Sequence, residues 1–350
     1  MYEWMMFVDA MMGLLIPILV IVAIKVSVPF AGKLKLVDSP NSRKLHACDV
    51  AVVGGLGMFL GVAVGLMSGE YSYDGLVLFA FLMLVLGVLD DRHDLSIISR
   101  LFAQMILAIC AVSVMGIELR LLGDILNTGN LVLGNFSLII TVLAFLAGTN
   151  SFNAIDGLDG LAAGLGIIIF SSILVLASIS ESNRIVYLSS IYLFVLFPFL
   201  FFNLSTKHKV FMGDAGSLFI GFSIVWILIV SSQGEDLIFN PVTALWIYAI
   251  PLIDIVSVVC LRIKNNKSPF SPDRNHIHYK IKDKYNLSDK TVVLGILFVA
   301  CFLSVVGVLG EIYGVQEWIM FTAFMVLFFL YLLLFLFAEK IKVLGFNIRT

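Results

Sequence analysis

Charge is scarce in this chain. Asp, Glu, Lys and Arg together make up 13% of its 350 residues, about half of what a water-soluble domain carries. Cysteine is scarce too. The four present (Cys48, Cys110, Cys260, Cys301) fall in one loop and three apolar stretches, which argues against a disulfide framework or a thiolate metal centre. A Walker-type glycine-rich loop is missing, so ATP is not indicated. The N-terminal MYEWMMFVDA has no basic residue, so it reads as the flank of a first helix rather than a cleavable signal peptide. No internal repeat or low-complexity stretch is visible. The longest loop, about 30 residues after Cys260, is too short to hold a core of its own.

What the chain has instead is apolar sequence. Hydrophobic residues make up 60% and the mean hydropathy is +1.05. Runs of about 17–25 apolar residues, the length that crosses a bilayer, recur throughout. Eleven are expected, near 6–28, 51–67, 75–89, 101–117, 136–149, 160–179, 186–203, 215–232, 241–260, 291–309 and 317–338. The fold class is therefore an all-α polytopic integral membrane protein, read as a single transmembrane catalytic domain over 1–350.

The connecting segments alternate in charge. Of the 22 basic residues, only Arg120 and Arg184 fall on one side. The other twenty fall on the opposite side, which the positive-inside rule assigns to the cytoplasm. The N-terminus is then outside and the C-terminus inside, as an odd number of spans requires. The cytoplasmic loops lie near 29–50, 90–100, 150–159, 204–214 and 261–290.

Four of these loops carry compact polar motifs. LDDRHDLS holds Asp90, Asp91 and Asp94. NSFNAIDGLDG holds Asn150, Asn153, Asp156 and Asp159. FFNLSTKHKVFMGDAGS holds Asn203, Phe211 and Asp214. SPFSPDRNHIHY holds Asp273, Arg274, His276 and His278. Each motif has a plainer reading when taken alone. Asp90 and Asp91 could be a solvated helix end, the asparagines interhelical hydrogen-bond glue, and Asp214 a helix N-cap. His276 and His278 lack partners at zinc-ligand spacing. Asp254, inside the ninth span, is either a buried partner or a cavity residue. The run from Asn150 to Asp159 drifts by about 180° on an ideal helix, and Gly157 and Gly160 favour a break. A helix end followed by a turn fits better than one polar stripe.

Taken as a set, the carboxylates point to hard-cation chemistry. Oxygen ligands suit Mg²⁺, or Mn²⁺, and a cation would let an acidic site accept a phosphate. A different class, an ion-coupled transporter or lipid flippase, would place charges near the midplane and commonly show repeated halves. Here the carboxylates gather at one face.

The same residues resemble a known family. NxxNxxDGxDG at 150–160, VFMGDAGS at 210–217, LDDRHDLS at 89–96 and PDRNHIHY at 272–279 are similar to motifs of the polyprenyl-phosphate N-acetylhexosamine-1-phosphate transferases. VVGGLG at 52–57 and NPVTALWIYAIPLID at 240–254 extend the likeness. The closest likeness is to the branch acting on undecaprenyl phosphate and UDP-GlcNAc. The resemblance implies transfer of GlcNAc-1-phosphate to undecaprenyl phosphate with release of UMP, as the first membrane step of a cell-surface polysaccharide in a bacterial inner membrane. UDP-GalNAc or another UDP-N-acetylhexosamine is the alternative donor.

By the same resemblance, Asp214 is the leading Mg²⁺ ligand and Asn150 a second. Asp90 and Asp91 lie beside the lipid phosphate, with Asp90 as a candidate base. A phosphate monoester whose second pKa is near 6 is already mostly dianionic at pH 7, so positioning matters more there than proton removal. Asp156 and Asp159 shape the nucleotide site. Phe211 stacks on uracil, and Arg274, His276 and His278 meet the diphosphate and sugar. Asn153, Asn203, Lys44 and Arg100 are further candidates for binding substrate. The family motif often ends in two adjacent histidines; Tyr279 stands at the second. The Pro272-Asp273-Arg274 lead-in points away from the branch that transfers the peptidoglycan precursor. The expected partners are UDP-GlcNAc, undecaprenyl phosphate and the bilayer, with no nucleic acid; a homodimer is plausible for such helical enzymes.

Overall fold

The computed structural model describes residues 2–39, 49–234, 237–270 and 274–341. Its helices are α1 (Tyr2–Ser27), α2 (Ala31–Leu34), α3 (Gly54–Ser68), α4 (Asp74–His93), α5 (Ile97–Met115), α6 (Ser137–Ile155), α7 (Leu161–Ile179), α8 (Asn183–Leu204), α9 (Gly213–Ser232), α10 (Pro241–Ile247), α11 (Ala249–Lys264), α12 (Ile277–Tyr285), α13 (Asp289–Ile312) and α14 (Glu317–Ile341). Hydrocarbon offers the backbone no hydrogen-bond partner, so apolar runs of this kind close their bonds internally as helices. Starts and stops follow side-chain chemistry. Ser96 and Ser288 cap α5 and α13, accepting from the amides of Ser99 at 3.1 Å and Thr291 at 3.2 Å.

All eleven expected apolar stretches are helical. Among the described residues, seven helices are long and apolar enough to cross a membrane, or eight if α10 and α11 form one bent span; α3 and the described apolar part of α14 are shorter. The stretch 241–260 is not one straight helix, because α10 and α11 meet at 81°. Pro251 accounts for the break: it has no amide hydrogen, and its ring clashes with a helical carbonyl four residues back, here that of Ile247.

A central helix organises the bundle. In α9 nearly every residue from Ala215 to Ser232 is buried, and α4, α6 and α3 pack around it. The α4–α9 crossing is close enough to demand glycine. A Cβ on Gly87 would stand 2.4 Å from backbone atoms of Asp214 and Ala215. Peripheral helices present apolar stripes to the lipid. On α13, Leu294, Phe298 and Phe302 recur every fourth residue and are exposed.

One small element was not expected. β1 (Val37–Asp38) pairs antiparallel with β2 (Val50–Ala51), and Ala51 bridges to Val210. The Phe211 amide donates to the Ala51 carbonyl at 2.9 Å, and the Gly54 amide donates to the Phe211 carbonyl at 3.0 Å. This lattice ties the VVGGLG stretch to the VFMGD stretch and holds Phe211 and Asp214 in place at the mouth of α9.

Candidate active site

A cavity of about 500 Å³ opens at one end of the bundle. Its wall draws on every polar motif singled out in the sequence. Asp90, Asp91 and Asp94 come from the end of α4. Asn153, Asp156 and Asp159 come from the end of α6 and the turn after it. Asn203, Phe211 and Asp214 come from the α8–α9 connection, and Arg274 from the segment before α12. α6 ends at Ile155 and a turn follows, so the Asn/Asp run is a helix end plus a loop.

The carboxylates are individually constrained. Asp91 reaches across to the start of α9 and caps it. Its two oxygens accept from the amides of Asp214 at 2.9 Å and Ala215 at 3.0 Å, where the helix dipole favours negative charge. The cap of α9 is therefore Asp91 rather than Asp214. Gly213, at φ +72°, makes room for this contact, since a Cβ there would lie 2.7 Å from Asp91 Oδ2. Asp90 is only 5% exposed. Its Oδ1 accepts from the Leu95 amide at 2.9 Å and its Oδ2 from Arg100 Nη1 at 2.6 Å. Both oxygens thus already have donors, an arrangement suited to positioning. Arg100 also stands 3.8 Å from Asp214 Oδ2, and Asn153 Nδ2 donates to Asp214 Oδ1 at 2.5 Å and to Ser217 Oγ at 2.8 Å. Lys209 pairs with Asp159 at 2.5 Å and lies over the Phe211 ring, 5.2 Å from its centroid.

Asp156 closes the ring of charge. Burial, followed by the charges of Asp214, Asp91 and Asp159, holds its carboxyl well above the usual carboxylate range. The cavity is electrostatically short of a positive charge. Among the described residues no three His, Cys, Asp or Glu side chains are gathered as a ready-made cation cage. Asp156 and Asp214 offer carboxylate oxygens to the cavity, the donor type that hard divalent cations such as Mg²⁺ take.

Several expected site residues are placed differently. Asn150 does not line the cavity; its Nδ2 donates to Gln104 Oε1 at 2.5 Å and to the Leu146 carbonyl at 2.9 Å. It sits one turn further into the bundle than Asn153, which takes the contact with Asp214. Asn203 lines the wall, but both ends of its amide are engaged by backbone. Oδ1 accepts from the Gly160 amide at 2.6 Å and Nδ2 donates to the Val210 carbonyl at 3.1 Å, tying two loops together. Arg100 is absent from the cavity lining and bridges Asp90 and Asp214. His276 and His278 are buried and do not line the cavity either. From α12, Tyr279 and Lys282 do, three residues apart and so on one helix face. Lys44 lies outside the described residues.

The cavity also includes residues that carried no functional expectation: Asp38, Lys209, Tyr279, Lys282 and Asp289. Lys282 pairs with Asp289 at 2.5 Å. Lys209 and Tyr279 fall inside quoted motifs but were assigned no role there, and no local motif marks Asp38, Lys282 or Asp289. The i, i+3 spacing of Tyr279 and Lys282 was the one available signal.

Comparison with known proteins points to one family. Residues 73–232 match the model of glycosyl transferase family 4. The chain is 41% identical over 310 residues to the undecaprenyl-phosphate alpha-N-acetylglucosaminyl 1-phosphate transferase of Haemophilus influenzae, covering 87% of each chain. This chain belongs to glycosyl transferase family 4. Relatives of the same description in Pasteurella multocida (43% over 310 residues, 87% of each chain) and Escherichia coli K12 (37% over 308 residues, 86% of this chain and 84% of that one) extend the likeness. The matched family region runs from the start of α4 to the end of α9. It therefore contains Asp90, Asp91, Asn153, Asp156, Asp159, Phe211 and Asp214, but not the Arg274–Tyr279 wall, which only the full-length relatives reach.

Proposed function

We propose that this family member transfers GlcNAc-1-phosphate from UDP-GlcNAc to undecaprenyl phosphate. A lipid phosphate oxygen forms a bond to the β-phosphorus of UDP-GlcNAc. The bond from that phosphorus to the bridging diphosphate oxygen breaks, UMP leaves, and undecaprenyl-diphospho-GlcNAc remains. The observation that carries this reading is convergence: motifs from four separate connections line one cavity, in a chain 41% identical over 310 residues to a relative of that description.

Roles follow from placement. Arg274 and Lys282 supply positive charge on the α12 wall for the diphosphate. Phe211, backed by Lys209, offers a flat face for uracil. Asp90, with Arg100, orients the lipid phosphate rather than removing a proton from it. Asp91 fixes the first turn of α9, which carries Asp214. A bound Mg²⁺ would be held by Asp214, with Asp156 alongside, and would neutralise charge on the diphosphate oxygens. The proposed topology has eleven spans in a bacterial inner membrane, the N-terminus outside, and the cavity and C-terminus in the cytoplasm. The charge asymmetry of the loops supports it. The transporter reading loses support, because Asp254, its candidate mid-membrane carboxylate, is engaged by His276 Nδ1 and the Ile277 amide and does not line the cavity.

The test is UMP release by purified protein across a panel of UDP-sugars. Release from UDP-GlcNAc only when polyprenyl phosphate and Mg²⁺ are both present is expected. No UMP from UDP-GlcNAc under those conditions overturns the donor assignment, and release from UDP-GalNAc alone redirects it.

A further inference from the structure

One buried carboxylate lies outside the cavity. Asp254, in α11 just past the bend, is 2% exposed, and Ile250, Ile253, Ile277, Leu303 and Leu327 share its apolar pocket. Replacing a buried charged pair by apolar side chains is often neutral or stabilising, so a carboxylate at this place needs an account beyond stability. Its contacts supply one. Oδ2 is 2.7 Å from His276 Nδ1, and Oδ1 accepts from the Ile277 amide at 2.8 Å. Ile277 is the first residue of α12, and His276, its N-cap, makes no side-chain cap of its own. Asp254 thus caps α12 from another helix, as Asp91 caps α9.

The contacts continue from there in a column. The His276 ring lies nearly parallel to His278, 6.0 Å between centroids at 13°. His278 packs on Tyr279 at 4.1 Å. The Arg274 guanidinium lies over the Tyr279 ring, 4.5 Å from its centroid. Only the last two members of this column line the cavity.

We propose that Asp254 is a positioning residue for the α12 wall: by holding the His276 Nδ1–H and the Ile277 amide, it sets the place of Tyr279 and Arg274 at the cavity. A carboxylate only accepts hydrogen bonds, so this contact puts the proton of a neutral His276 on Nδ1 and leaves Nε2 as the lone-pair nitrogen. The assignment rests on the transferase reading only for what Arg274 binds.

The test has two readouts. In the ¹⁵N-histidine spectrum of the wild-type protein at alkaline pH, His276, assigned through His276→Gln, should show the Nδ1–H tautomer. In Asp254→Asn, the KM for UDP-GlcNAc should rise about tenfold while kcat stays within about threefold, the signature of lost binding rather than lost chemistry. A wild-type His276 protonated on Nε2 overturns the proposal. So does a folded Asp254→Asn protein with wild-type KM, or one whose kcat falls as far as KM rises. If Asp254→Asn does not fold, the wild-type tautomer decides alone. If the wild type releases no UMP from any UDP-sugar, the functional reading fails, and the tautomer still decides the Asp254–His276 assignment.

Discussion

The two ends of this helical bundle treat their polar residues in opposite ways. At the end away from the cavity, polar groups close turns. Glu311 accepts from the Asn240 amide and Nδ2 at 3.0 Å each, and from Thr243 Oγ1 at 2.5 Å. Gln233 Oε1 accepts from the amides of Arg120 and Leu121, and Asp124 from those of Thr128 and Gly129. At the cavity end, carboxylates from different helices face one another, and burial, with the charges of Asp214, Asp91 and Asp159 adding to it, holds the Asp156 carboxyl well above the usual carboxylate range. Turn closure alone does not call for such crowding. An arrangement that repels itself is expected where a cation and a phosphate ligand complete it.

This contrast can be broken by substitution. The largest effect is expected at Asp214. Asp214→Asn should lower turnover by about 10³-fold, the scale of losing a main electrostatic contributor. Its thermal midpoint should hold or rise, because one repelling charge is gone. A midpoint that falls by many degrees would make Asp214 a structural residue like those of the far end.

The next effect is a pH dependence of stability. Burial pushes the His278 imidazole down to about 4, from an ordinary value near 6.5. Below about 6.5 the unfolded chain takes up a proton that the folded chain refuses. The contribution is therefore complete above 6.5, declines as pH falls towards 4, and is flat below; over that window it amounts to about 3 kcal/mol. Compared from pH 7 to 4, the thermal midpoint of the wild type should fall relative to that of His278→Phe. Parallel curves would show that His278 is not buried as a neutral ring.

Asp91→Ala comes third. It removes the cap of α9 and should destabilise the fold by about 1–2 kcal/mol, readable as a lower thermal midpoint, with turnover reduced because the helix start carries Asp214. The smallest effect on activity belongs to the far end. Glu311→Gln should lower stability by about 1 kcal/mol and leave UMP release within about twofold. A large loss of activity there would mean that the two ends are not functionally distinct.

Much of this contrast was legible in the sequence, for physical reasons. Lysine and arginine placement alone sorts the loops into two sets. The four motifs stood out because carboxylates beside apolar runs are costly and therefore conspicuous. The break after Ile155 could be read from Gly157 and Gly160. What stayed hidden depends on packing in three dimensions. Nothing in LDDRHDLS says that Asp91 caps a helix starting at Gly213, 122 positions on. Depth along α6, not motif membership, decided that Asn153 rather than Asn150 meets Asp214. Packing before and along α12 turned His276 and His278 inward while Tyr279 and Lys282 face the cavity. Pro251 was visible, but its consequence, an 81° bend that carries Asp254 under α12, was not.

The central claim is that the crowded carboxylates serve a cation-bridged phosphate transfer. UMP release from UDP-GlcNAc and undecaprenyl phosphate, measured for wild type and Asp214→Asn with Mg²⁺ and again with a chelator, tests it most directly. Release by the wild type is expected with Mg²⁺, none with chelator, and about 10³-fold less by Asp214→Asn in Mg²⁺. Equal release with and without chelator, or full release by Asp214→Asn, would contradict it.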